Sequence, residues 1–165
     1  DAIPALVYDS TIETFERHKV LNRLELASRA EIHYEAYVKQ INIEAKTMID
    51  IASKQILPAV IKYKNILVDT ICNIKKLEQD SSVEESILSD ITKNVKLFYE
   101  NLQLLEKEIQ AAHCLECSTQ EQAVFYRDHV AKAMEKLRKP ADALEMLVDE
   151  GSWPFPTYGE LLFNI

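Results

Sequence analysis

Apolar residues recur at alternating spacings of three and four along most of this chain, the repeat of helices packed lengthwise against other helices. After an opening "DAIPALVYDS", Ser10 and Glu13 have capping-box spacing and start a short helix through Ile12 and Phe15 to about His18. Asn22 and Glu25 repeat that spacing past a brief connection at Val20 and Leu21, and a long helix runs from there to about Leu77. Its seam passes through Tyr34, Val38, Ile41, Ala45, Met48 and Ala52. It then resumes as Ile56, Val60, Tyr63, Leu67, Ile74 and Leu77, displaced by one residue. Pro58 falls at the break. An interior proline removes a backbone hydrogen bond and crowds the carbonyl four residues earlier, so a kink or split is predicted there.

The polar stretch "EQDSSVEE" ends this helix and places Ser81 with Glu84, or Ser82 with Glu85, to cap the next. The stripe that follows, Leu88, Ile91, Val95, Phe98, Leu102, Leu105, Ile109 and Ala112, keeps a strict three-four alternation and calls for an antiparallel neighbour. "HCLECSTQE" interrupts it. Ser118 and Glu121 then begin a helix through Ala123, Tyr126, Val130, Ala133 and Leu137. Pro140 leaves that stripe in phase, since Ala141, Leu144 and Val148 continue it, and a bent but continuous helix to about Asp149 is predicted. No useful strand alternation or internal repeat is present. The predicted fold is all-α: one domain over residues 1–165, an antiparallel bundle of three long helices, the first kinked at Pro58. A short N-terminal helix and an irregular C-terminal strap complete it.

Composition sharpens this picture in one respect. The chain has two glycines in 165 residues, where usage of about 7% would give about a dozen, so tight turns are few. Hydrophobic residues at 47% and charged ones at 28% fit a globular protein, and the length suffices for one sizeable core. A net charge of −8 without a basic stripe argues against nucleic acid and anionic lipid as partners. No apolar run is long enough to span a bilayer, and the N-terminus lacks the pattern of a signal peptide. Three cysteines, Cys72, Cys114 and Cys117, form no even secreted framework. A soluble, cytoplasmic protein is expected. The chain begins at Asp1 without methionine, which suggests a fragment of something longer.

Candidate chemistry is sparse. A di-metal carboxylate bundle needs Glu-x-x-His pairs, and no glutamate here has a histidine three residues later; His18, His33, His113 and His129 are scattered. His113, Cys114 and Cys117 offer three potential metal ligands in one turn, but a structural zinc usually takes four in two separated pairs. With no strand ahead of Cys117 the thioredoxin arrangement is missing too, and the turn reads as an interhelical connection with two incidental thiols. Both glycines, Gly151 and Gly159, lie in the tail, so no phosphate-binding glycine loop exists. Glu35 and Glu44 read as solvated helix faces, and "RDHVAKAMEKLRK" as a basic helix end. No residue is assigned a catalytic, cofactor-binding or metal-ligating role.

Two stretches, "YVKQINIEAKTMIDIASKQILPAVIKY" and "MLVDEGSWPFPTYGELLF", strongly resemble the C-terminal region of type III glutamine synthetases, the large-subunit bacterial class. "FERHKVLNRLELASRAEI" is similar to the segment that introduces that region, whereas residues 79–122 match only in helical character. The resemblance implies a fragment of a nitrogen-metabolism ligase that makes glutamine from glutamate and ammonia with ATP and a divalent metal, Mg or Mn. It also implies partners: the rest of the synthetase chain and the neighbouring subunits of a homo-oligomer. No motif here matches the family's metal, nucleotide or glutamate sites, so the fragment alone is expected to be inactive. The family signature rests on Trp153, Pro154, Phe155, Pro156, Tyr158 and Gly159, with Pro58 upstream. The "HCLEC" turn departs from it. An alternative from another class is an autonomous helical interaction or regulatory module without catalytic activity.

The closing segment has a physical reading as well. Pro154 and Pro156 fix their own φ and push Trp153 and Phe155 away from helical conformation. Gly151 is placed to end the last helix in a left-handed cap. The apolar area of Trp153, Phe155, Tyr158, Leu161, Leu162 and Phe163 is expected either to fold back as a strap over the end of the bundle or to dock on the catalytic core or a neighbouring subunit.

Overall fold

The computed structural model describes residues 2–156 and Leu162. It is all-helical, with no strand among the described residues. A 3-10 turn over Ile3–Val7 leads into α1 (Asp9–Arg17) and then α2 (Arg23–Ile51). A π turn, Ala52–Ile56, joins α2 to α3 (Leu57–Lys76), and α4 spans Ser82–His113. The last helical stretch is α5 (Thr119–Phe125), a second π turn (Tyr126–Val130) and α6 (Ala131–Glu145). The chain divides into two compact units, Asp1–Ala45 with Glu108–Lys132, and Lys46–Lys107 with Ala133–Ile165.

The core of the first unit is built from Ile12, Leu26, Ala30, Ala45, Ile109, Ala112, Ala123, Tyr126 and Val130. Its helix starts follow local chemistry. Asn22 and Glu25 close a reciprocal capping box, the Glu25 N–H donating to Asn22 Oδ1 at 2.9 Å and the Asn22 N–H to Glu25 Oε2 at 2.8 Å. Ser118 and Glu121 form the same box at the start of α5. The predicted box at Ser10 does not form. The chain coils through Ile3–Val7 first, Tyr8 takes the cap position, and Ser10 lies inside α1, where its carbonyl accepts the Thr14 hydroxyl at 2.8 Å.

The second unit has the larger core: Ala52, Ile56, Val60, Leu67, Ile71, Ile91, Phe98, Leu102, Leu105, Ala133, Leu137, Pro140, Leu144 and Val148. The break expected at Pro58 takes a different form. The π turn of Ala52–Ile56 precedes the proline, the Leu57 N–H donating to the Ala52 carbonyl five residues back, and Pro58 is the exposed second residue of α3. A π turn absorbs one extra residue, which accounts for the one-residue slip of the seam. Past Leu67 the seam runs through Ile71, which is buried; Leu77, expected on it, caps α3 and is 70% exposed.

Pro140 is the other interior proline, and α6 continues through it. Lacking an N–H, it leaves the carbonyl of Lys136 without its helical donor. Asn101 on α4 fills the gap, its Nδ2 donating to that carbonyl at 3.1 Å. Across the α3–α4 connection Lys75 Nζ pairs with Glu85 Oε1 at 2.8 Å, and the Ser81 hydroxyl donates to the same carboxylate. Neither predicted capping pair forms at this point; the Ser82 N–H donates to Asp80 instead.

Helix C-termini correct a further expectation. Gly151 does not adopt positive φ; Lys19 (φ 55°) and Glu78 (φ 56°) do. Each closes a Schellman motif. Val20 N–H reaches the Phe15 carbonyl and Lys19 N–H the Glu16 carbonyl, both at 3.0 Å. Gln79 and Glu78 repeat this on Ile74 and Lys75 at 3.3 and 3.1 Å. The final helix stops at Glu145, short of Asp149, and the chain turns so that the Ser152 and Trp153 N–H groups both donate to the Asp149 carbonyl.

Candidate interaction surfaces

The residues expected to form a strap fall in the second unit. Trp153, Pro154 and Phe155 are half-buried and Pro156 is exposed. The rings of Trp153 and Phe155 meet edge to face, centroids 6.3 Å apart at 66°. With Ala141 and Glu145 of α6, and Ile56 of the π turn, they line an open concavity of about 310 Å³. Tyr158 and Gly159, with Leu161 and Phe163, lie outside the described residues; Leu162 is 70% exposed.

A second concavity, of about 240 Å³, lies in the first unit between the N-terminal turn, α2 and α5. Ile3, Pro4, Tyr37, Ala123 and Val124 form its apolar wall; Tyr34 also lines it, and its buried hydroxyl has no hydrogen-bond partner. Arg127 stands at its edge and grips Asp128 with two hydrogen bonds, Nε to Oδ1 at 3.1 Å and Nη2 to Oδ2 at 2.8 Å. Those bonds hold the Asp128 carboxyl down to about 2, with Lys132 adding to the effect. The seam pattern placed Tyr34 against a neighbouring helix but gave no role to Ile3 or Pro4, because a 3-10 turn of five residues leaves no periodic trace.

Other electrostatic pairs also secure helix ends. The Lys75 ammonium and the Ser81 hydroxyl lower Glu85, and Lys75 is raised in return. Hydrogen bonds from Ser118 lower Glu121 in its capping box. Glu35 pairs with Lys39, and Glu44 accepts from Gln40, each along one turn of α2. His129 stacks on Phe125 at 4.4 Å, with its Nδ1 3.5 Å from Glu108. His113 ends α4, and Cys72, Cys114 and Cys117 are all exposed free thiols. Among the described residues no three His, Cys, Asp or Glu side chains gather closely enough to hold a metal ion. No helix among them is long and apolar enough to cross a membrane. What the side chains do is pack, cap and pair.

Comparison with known proteins decides the family. Residues 1–75 match the glutamine synthetase C-terminal domain. The chain belongs with that family. A type-3 glutamine synthetase of Dictyostelium discoideum is 31% identical over 175 aligned residues, covering 99% of this chain and 23% of that protein. Glutamine synthetases of Butyrivibrio fibrisolvens and Bacteroides fragilis are 31% and 29% identical, over 100% and 88% of this chain. They are matched over 24% and 21% of their own lengths. The chain therefore spans less than a quarter of each synthetase relative, and the likeness is not confined to bacteria.

Proposed function

We propose that this chain is the C-terminal assembly domain of a type III glutamine synthetase, a cytoplasmic ligase that forms glutamine from glutamate, ammonia and ATP with Mg or Mn. In this reading the active site lies outside residues 1–165, and the fragment alone is inactive. The observation that carries the proposal is the pattern of coverage: nearly the whole chain aligns with each relative while accounting for less than a quarter of it. The type assignment draws on the Dictyostelium relative.

The three long helical stretches form an antiparallel bundle, supported in the second unit by the Lys75–Glu85 and Asn101–Lys136 contacts. Trp153, Pro154, Phe155 and Pro156 act as a strap that completes it, with Tyr158 and Gly159 continuing the signature. The partners are the rest of the synthetase chain and neighbouring subunits of a homo-oligomer. Deleting this region from the full-length synthetase tests the proposal, with mass and glutamine formation as readouts. Loss of the assembled state is expected; an unchanged oligomer with unchanged activity overturns it.

A further inference from the structure

The outer face of α2 carries large apolar residues among its polar ones. Leu26, Ala30 and Ala45 point into the core of the first unit. At about 100° per residue, Ile32 and Ile43 point the opposite way, and they are 61% and 65% exposed. Ser28 and Ala36 share that face and are also exposed. Leu21, one residue before the helix cap, lines a shallow concavity with Ser28 and Ile32. Leu21, Ile32 and Ile43 thus stand on one line with the small Ser28 and Ala36, interrupted by Glu25 and Lys39, and exposed apolar side chains aligned in this way suit a contact surface.

The order of residues on the face identifies what covers it. Counted outward from Ile32, the positions form a palindrome in chemistry: Ser28 mirrors Ala36, Glu25 mirrors Lys39, and Leu21 mirrors Ile43. Arg29 and Glu35 stand at mirrored heights on the flanks. A two-fold axis crossing α2 at Ile32 therefore sets Ile32 against its own copy and small residues against small ones. It sets Glu25 against Lys39 of the partner subunit and Leu21 against Ile43 of the partner subunit. An isologous contact demands this self-complementarity, and an unrelated partner does not. We infer that the outer face of α2 is a homodimer contact, two copies packing antiparallel about Ile32, with the two Glu25–Lys39 pairs fixing the register.

The inference deepens the assembly role proposed above and rests on it only for its place within a larger enzyme. The test uses charge exchange and cross-linking. In sedimentation of the 165-residue chain, Glu25→Lys is expected to weaken self-association at least tenfold. Adding Lys39→Glu is expected to restore it. With Cys72, Cys114 and Cys117 changed to Ser, Ile32→Cys is expected to yield a disulfide-linked dimer under an added thiol oxidant such as diamide, whereas Ala27→Cys on the same helix is not. The inference falls if the chain is monomeric at all concentrations, if Glu25→Lys changes nothing, or if the double exchange fails to rescue a variant whose circular dichroism is unchanged. In the full-length synthetase the two readings separate. An oligomer lost on deletion of the region but intact with Ile32→Glu keeps the assembly role and overturns the α2 contact. A deletion without effect, alongside a cross-linked dimer of the Ile32→Cys variant, overturns the assembly role alone.

Discussion

Asn101 and Pro140 are joined by a bond neither side chain makes with the other. Proline at 140 denies the Lys136 carbonyl its helical donor, and the Asn101 amide supplies a replacement at 3.1 Å. Pro140 is buried, but the bond itself is exposed, with Asn101 half-buried and Lys136 on the surface, so water replaces part of the lost donor. Changing Asn101 to Ala removes a hydrogen bond with a net value of about 1 kcal/mol, and access of water to the freed carbonyl keeps the total loss near that figure. With Pro140→Ala already present, residue 140 donates to Lys136 itself, and the same Asn101→Ala change is expected to cost about 0.5 kcal/mol or less. The coupling is then about 0.5 kcal/mol or more. Because the loss of proline ring packing occurs in both arms, the double-mutant cycle removes it. Urea unfolding of the four proteins measures the coupling. In thermal melts each 0.5 kcal/mol corresponds to about 1–2 °C for a chain of this size. An Asn101→Ala effect of equal size in both backgrounds refutes the reasoning.

Three further predictions concern helix ends and the strap. Lys19→Gly and Glu78→Gly should each stabilise by about 0.5–1 kcal/mol, the relief of a left-handed backbone less the added freedom of the unfolded chain; the matching Ala variants should not, and equal melting temperatures for Gly and Ala would contradict this. Asp128 titrates near 2 in the folded chain against about 3.9 unfolded, so the stability its Arg127 bonds provide is complete above that higher value and drains away as pH falls from about 4 through 2. Melting temperature followed from pH 5 to pH 2 should fall more steeply for the wild type than for Asp128→Asn, and parallel curves would count against the pairing. Trp153→Ala should lower stability by about 2 kcal/mol, read by urea unfolding, if the half-buried ring seals the second unit; an unchanged midpoint would assign the ring to a partner instead.

The helical content was legible because apolar spacing reports directly on which side of a helix meets a core. The stripe from Ile91 to Ala112 is buried at Ile91, Phe98, Leu102, Leu105, Ile109 and Ala112. Capping boxes were legible when nothing competed for the cap, as at Asn22 and Ser118, and misleading at Ser10, where the preceding 3-10 turn moves the cap to Tyr8. A phase slip near Pro58 was visible, but spacing alone does not say whether a kink or an inserted residue absorbs it. The second π turn, Tyr126–Val130, left no sign at all, because Tyr126 and Val130 keep an ordinary spacing of four. Asn101 was out of reach for a different reason: its acceptor is a backbone atom 35 residues away, and backbone acceptors carry no residue type to read. The α2 face was present in the letters from the start, as a mirror order that becomes meaningful only once Ile32 is known to point outward.

The π turn at Ala52–Ile56 behaves as a vernier between two rulers. One added residue is taken up locally, and neither the positions before it nor those after it are re-addressed. One inserted residue in this region is thus accommodated without repacking the second unit. A relative one residue shorter there would be expected to run as plain α-helix through the same point, with every downstream apolar position still facing its old neighbour.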